Sequence, residues 1–108
     1  GPGSPPDRGA RGRRRVSFER ARRDGDEVPA EIHLRGLSVD EALARVDKYL
    51  DDASLAGLDT ARLVHGVGSG RLKRAIAELL HRHPHVRGFS SAPADRGGAG
   101  VTVVTLRT

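Results

Sequence analysis

The residues best able to do chemistry in this chain lie in one run at residues 63–80, LVHGVGSGRLKRAIAELL. An apolar segment stops at His65, glycines follow at Gly66, Gly68 and Gly70, and an amphipathic pattern then begins. That order predicts a strand, a tight loop and a helix N-terminus. Glycines let a backbone turn and expose its N–H groups, and a helix start adds a partial positive charge. The loop therefore predicts a seat for a phosphate or another anion. Arg71, Lys73 and Arg74 crowd the first helical turn, where the macrodipole favours acids, so their placement points to a polyanion. His65 stands beside the seat with the side chain whose ordinary pKa suits proton transfer at neutral pH.

The spacing is G-x-G-x-G, which is not the dinucleotide fingerprint, and no acid follows about 20 residues on to hold a ribose. Nor is there a Gly-Lys-Ser/Thr for a Walker loop. Taken alone, the loop is equally consistent with a sharp strand-to-helix turn that His65 merely caps. His81, His83 and His85 flank Pro84 at a helix end, where imidazoles commonly offset the macrodipole, so no metal is assigned to them. Asp47, Asp51 and Asp52 read as a solvated helix face, and too few carboxylates fall in the loops for a two-metal nuclease centre.

The elements that position these residues follow from hydrophobic period. Ile32 and Leu34 alternate with polar neighbours, predicting a strand over 31–35 that ends at Gly36. Ser38 and Glu41 form a capping-box signature. Val39, Ala42, Leu43, Val46, Leu50 and Ala53 then recur at helical spacing until Gly57. A second strand over 61–65 enters the glycine loop. The second helix shows Leu72, Ile76, Leu79 and Leu80 on one face and stops before Pro84. Two strands, 86–91 and 101–107, joined by a Pro- and Gly-rich loop, complete a βαβαββ order. If both helices cross over between parallel strands, the loops after the first two strands open at one sheet edge. A parallel third strand brings loop 93–100 there too, so Arg35, the glycine loop, and Arg96, Gly98 and Gly100 converge where open α/β sheets bind ligands.

At 108 residues there is room for one domain. Gly1-Pro2-Gly3-Ser4 has the form of a protease-cleavage scar, and the chain reads as a piece of a larger protein. Residues 5–30 predict a basic flexible arm: eight arginines, Arg13, Arg14 and Arg15 among them, stand in 8–23 against the single acid Glu19. Such a stretch is either a solvated linker or an arm that tracks phosphates. The domain proper is placed at 31–108. The absence of cysteine removes disulfides and thiolate metal sites, and no apolar run nears the roughly 18 residues of a membrane span. A cytoplasmic protein without membrane contact is expected.

Three blocks, EIHLRGLSVDEALARVDKYLDDA at 31–53, LVHGVGSGRLKRAIAELL at 63–80 and VRGFSSAPADRGGAGVTVVTL at 86–106, resemble the small MutS-related, or Smr, domain. The first is similar to its Asp-Leu-Arg-Gly block, the second to its His-Gly-x-Gly-Thr-Gly block, and the third to its glycine-rich final hairpin. His33 stands where the family usually has Asp, and Ser69 where it usually has Thr. The resemblance implies an α+β, two-layer fold, a four-stranded mixed sheet with two helices on one face, similar to the C-terminal domain of bacterial initiation factor three. It also implies nicking of DNA or RNA with little sequence preference, in a recombination, repair or ribosome-rescue protein. His65, Arg35 and His33 are then the catalytic candidates. Gly66, Gly68, Ser69, Gly70, Arg71, Lys73, Arg74, Arg96, Gly98, Gly100 and the arm arginines would hold phosphates. No resident cofactor is assigned, and a divalent ion, Mg or Mn, is compatible through the phosphate itself. The alternative is a module that binds nucleic acid or the ribosome without cutting.

Overall fold

A computed structural model of the protein describes residues 27–107. Its elements are β1 (Glu31–His33), α1 (Val39–Leu55), β2 (Thr60–Val64), α2 (Arg71–Arg82), β3 (Val86–Ser91) and β4 (Val101–Leu106), with two 3-10 turns, Ala94–Arg96 and Gly98–Gly100, before β4. This is the expected βαβαββ order and an α+β fold.

The ends of α1 are set locally. The Ser38 hydroxyl accepts from the Glu41 N–H at 3.2 Å while the Glu41 carboxylate accepts from the Ser38 N–H at 3.0 Å, completing the capping box. The same backbone bond holds the Glu41 carboxyl below the usual carboxylate range. Ala42, Val46, Tyr49, Leu50 and Ala53 form the buried stripe, and the helix closes at Ala56 before Gly57. In α2 the buried positions are Ile76 and Leu80, and Leu72 and Leu79 pack beside them.

The sheet order is β1-β2-β4-β3, with β1 and β2 parallel and β4 antiparallel to both of its neighbours. The first three strands therefore run the same way. Both helical crossovers step across the sheet in one direction. Since such crossovers are right-handed, α1 and α2 lie on one face, where they pack against each other. Leu34, Leu50, Leu63, Ile76, Leu80 and Leu106 are wholly buried between the layers. Burial of such a side chain contributes about 1.5 to 3 kcal/mol, so this layer holds the edge loops in place. Glu31, His33 and Arg62 occupy the other face of the sheet, on strand positions that alternate with the buried Ala61 and Leu63.

The packed chain begins ahead of residue 31. Val28 lies against the core, the Ala30 carbonyl accepts from the Arg62 N–H, and the Pro29 carbonyl accepts from the Tyr49 hydroxyl. A buried phenol needs that acceptor, which ties the segment down. Burial also pushes the Tyr49 phenol up, from 10.0 to about 12. Because the folded value is raised, its contribution to stability is complete below pH 10.0 and is lost as pH rises through about 12. Tyr49 is the only tyrosine, so phenolate absorbance during an alkaline titration reads it alone. A midpoint near about 12 is expected; a midpoint at the ordinary value would mean an exposed, unbonded phenol.

At the far end of the domain His83 is buried and clamps the helices together. Its Nδ1 accepts from the His85 N–H at 3.2 Å, so Nε2 carries the proton facing the Asp47 carboxylate at 3.1 Å. His81 instead packs edge-on against Phe89. Among the described residues no three His, Asp or Glu side chains meet as a metal site.

Candidate phosphate-binding cleft

Parallel pairing of β1 and β2 brings the starts of α1 and α2 to the same sheet edge. Between them opens a cleft of about 540 Å³, lined by Leu37, Ser38, Val39 and Asp40 on one side and by the run from His65 to Leu72 on the other. Each helix start carries roughly half a positive charge; at α1 the acids Asp40 and Glu41 in the first turn offset it, while α2 has no acid there and is the positive side of the cleft.

The glycine loop holds its shape through bonds within the chain. Gly66 has φ +81°, and a Cβ there would meet the Arg35 Cδ at 3.0 Å, so only glycine lets the Arg35 stem lie across the loop. Gly70, at φ +86°, caps α2 in the left-handed region. The Gly100 carbonyl accepts from both the His65 and Gly66 N–H groups at 3.1 and 3.0 Å, and the Gly70 N–H donates to Val67 at 3.2 Å. Two of the loop glycines thus use their amides internally. The N–H groups of Val67, Gly68 and Ser69 take no partner among the described residues. The Ser69 hydroxyl accepts from the Arg71 N–H at 3.3 Å on the exposed side of the loop.

His65 continues the helix-facing alternation of Ala61 and Leu63 and is only 5% exposed. Its Nδ1 lies 2.8 Å from the Gly66 carbonyl and its Nε2 2.8 Å from Thr102 Oγ1. A carbonyl can only accept, so Nδ1 carries the proton, and in the neutral ring Thr102 donates to Nε2. The imidazole thereby links the glycine loop to β4.

The remaining candidates divide. Arg71 lines the cleft, Arg35 is not on the lining and lays its stem against Gly66, and Arg74 is exposed on the first turn of α2 with its guanidinium toward Gly70. Lys73 turns to the neighbouring strand, donating to Ser91 Oγ at 2.9 Å. Gly98 and Gly100 form the second 3-10 turn, and Gly100 meets the loop through its carbonyl. Arg96 is exposed, and its carbonyl accepts from Arg62 at 3.0 Å. His33 is not brought into the cleft. It lies on the open face, its Nε2 2.9 Å from Glu31, whose carboxylate also accepts from Arg62 Nε at 2.9 Å. Arg62, then His33, hold the Glu31 carboxyl below its ordinary range. Arg13, Arg14 and Arg15 lie outside the described residues.

Sequence reasoning missed Ser38 and Asp40, which supply the second wall, and Thr102, the partner of His65. The signal for the first two was present: parallel crossovers place both helix starts on one edge, and Ser38 and Asp40 open α1. Asp40 is the one carboxylate on the lining, too few for a two-metal arrangement.

The architecture defines a two-layer α+β domain with a cleft at the C-terminal edge of its parallel strands. The Smr domain family model matches residues 32–107. The crystal structure of the Smr domain of Thermus thermophilus MutS2 superposes with a TM-score of 0.73 at 51% identity, covering 74% of this chain and 100% of that one. YdaL, a stand-alone small MutS-related protein from Escherichia coli, superposes with a TM-score of 0.69 at 25% identity, covering 73% of this chain and 65% of its own. Endonuclease MutS2 of Thermomicrobium roseum is 54% identical over 79 residues, 73% of this chain. The chain belongs to the Smr domain family. The match spans only 10% of the length of that MutS2 relative. Among the described residues no helix is long and apolar enough to cross a membrane.

Proposed function

We propose that this domain binds nucleic acid by its phosphates at the cleft and hydrolyses a phosphodiester bond there. The observation that carries the reading is the meeting of two helix starts, the free amides of Val67 to Ser69 and the His65 ring on one cleft. Relatives that carry the name endonuclease MutS2 support the reaction type. In this reading Arg71 on the lining and Arg35, whose stem lies against Gly66, offset phosphate charge, and the loop amides donate to the non-bridging oxygens. His65 Nε2 exchanges the Thr102 hydroxyl for a proton of the attacking water, while the bond from Nδ1 to Gly66 keeps the tautomer. The new P–O bond forms as the bond to the leaving oxygen breaks, and the proton passes to that oxygen. Backbone contact of this kind predicts little sequence preference, on DNA or RNA.

A second reading, binding without cutting, is favoured by one observation: both ring nitrogens of His65 are already bonded within the protein. The test is nicking of supercoiled plasmid and of structured RNA by the domain and by His65→Ala, with and without Mg or Mn. Strand breaks lost in the variant support cleavage at this site. Tight binding with no breaks under any condition supports the second reading.

A further inference from the structure

Val67 is 68% exposed although it is a large apolar residue, and it stands between two glycines on the lining of the cleft. Leu37, Val39 and Leu72 line the same space. The cleft therefore mixes two chemistries, the free amides and Arg71 beside the aliphatic side chains of Leu37, Val39, Val67 and Leu72. Its volume of about 540 Å³ lies in the range of about 300 to 1,000 Å³ typical of pockets for single small ligands. A groove that merely followed a duplex backbone would need no apolar wall, since phosphate and sugar contacts are polar.

We propose that the cleft seats one unstacked nucleotide, its phosphate on the Val67 to Ser69 amides and its base against Leu37, Val39, Val67 and Leu72. The domain then acts on bulges, single strands and other unpaired positions in preference to intact duplex. This rests on the nucleic-acid reading above and adds the substrate class. A base inside a duplex reaches such a wall only after unstacking, which is least costly where the base is already unpaired. Aliphatic side chains pack against an exposed base or wedge beside it without aromatic stacking. That suits a cleft whose lining, among the described residues, holds neither Tyr49 nor Phe89.

The test is fluorescence anisotropy with two labelled probes of nearly equal charge: a blunt DNA duplex, and the same duplex with one bulged nucleotide. The bulged probe is expected to bind about tenfold tighter than the blunt one. Val67→Ser should bring that ratio to within about threefold, and because Val67 is exposed the substitution leaves the core intact. Leu55→Ser, at the other end of α1 and 89% exposed, should leave the ratio as it was. Equal binding of the two probes overturns the inference while leaving phosphate binding standing. Binding of neither probe removes both readings. A ratio lowered as much by Leu55→Ser as by Val67→Ser also overturns it, since the preference would then be general apolar adhesion.

Discussion

His65→Ala is expected to slow phosphodiester cleavage by about 10² to 10⁴, the usual worth of a positioned proton-transfer group, while changing affinity by less than about threefold, or roughly 0.7 kcal/mol. The asymmetry follows from geometry. In the proposed mode phosphate is held by amides of Val67 to Ser69 and by arginines, none of which the substitution removes, whereas the proposed proton carrier disappears. The variant also leaves Thr102 Oγ1 buried without the ring that it bonds at 2.8 Å. An orphaned buried hydroxyl costs about 1 to 3 kcal/mol, so the thermal midpoint should fall measurably and rates must be compared where both proteins are folded. Parallel losses of affinity and rate would make His65 a pin that shapes the loop, and the binding-only reading would replace catalysis.

Gly97→Ala should destabilise the domain by about 2 to 6 kcal/mol, the sum of backbone strain and overpacking. Gly97 has φ +112°, and a Cβ there would lie 2.4 Å from Val101 Cγ2 and 3.0 Å from its Cβ. Val101 is 4% exposed and begins β4, so it has little room to yield. The damage reaches the cleft as well, because the Gly100 N–H donates to the Gly97 carbonyl at 3.1 Å and the Gly100 carbonyl holds the His65 and Gly66 amides. Gly98→Ala is the control: it shares the positive φ, at +53°, but has nothing within 4 Å. Chemical denaturation should show a loss of about 1 kcal/mol for Gly98→Ala and a several-fold larger one for Gly97→Ala. Equal losses would mean that strain alone matters and that the contact with Val101 relaxes freely.

Local signals made most of the architecture legible. The Ser38–Glu41 box, the period of Val46, Leu50 and Ala53, and Pro84 mark helix ends through interactions between near neighbours, so they could be read one residue at a time. The insertion of β4 between β2 and β3 is a matter of pairing between distant segments, and nothing in Val101 to Leu106 names its partners. The same limit hid Thr102. Its bond to His65 depends on antiparallel register between β2 and β4, across which Leu63 faces Thr102. His33 shows another limit. Alternation puts it opposite Leu34, which leaves it either in the site or on the exposed side of the sheet, and only the sheet shows that the cleft lies on the helix side and His33 on the open face. The acids Asp24, Asp26 and Glu27 with Pro29 mark the end of the arm in the sequence, and the bond from the Tyr49 hydroxyl to the Pro29 carbonyl, made across 20 residues, has no local signal there.

The most direct measurement is a backbone-amide NMR titration of the domain with a short bulged oligonucleotide at moderate salt. Phosphate held in the cleft predicts that the amides of Val67, Gly68, Ser69 and Arg71 shift first and furthest, with the first turn of α1 following. Shifts confined to the open face of the sheet, at Glu31, Arg62 and Ser90, with the glycine loop unmoved, would contradict it.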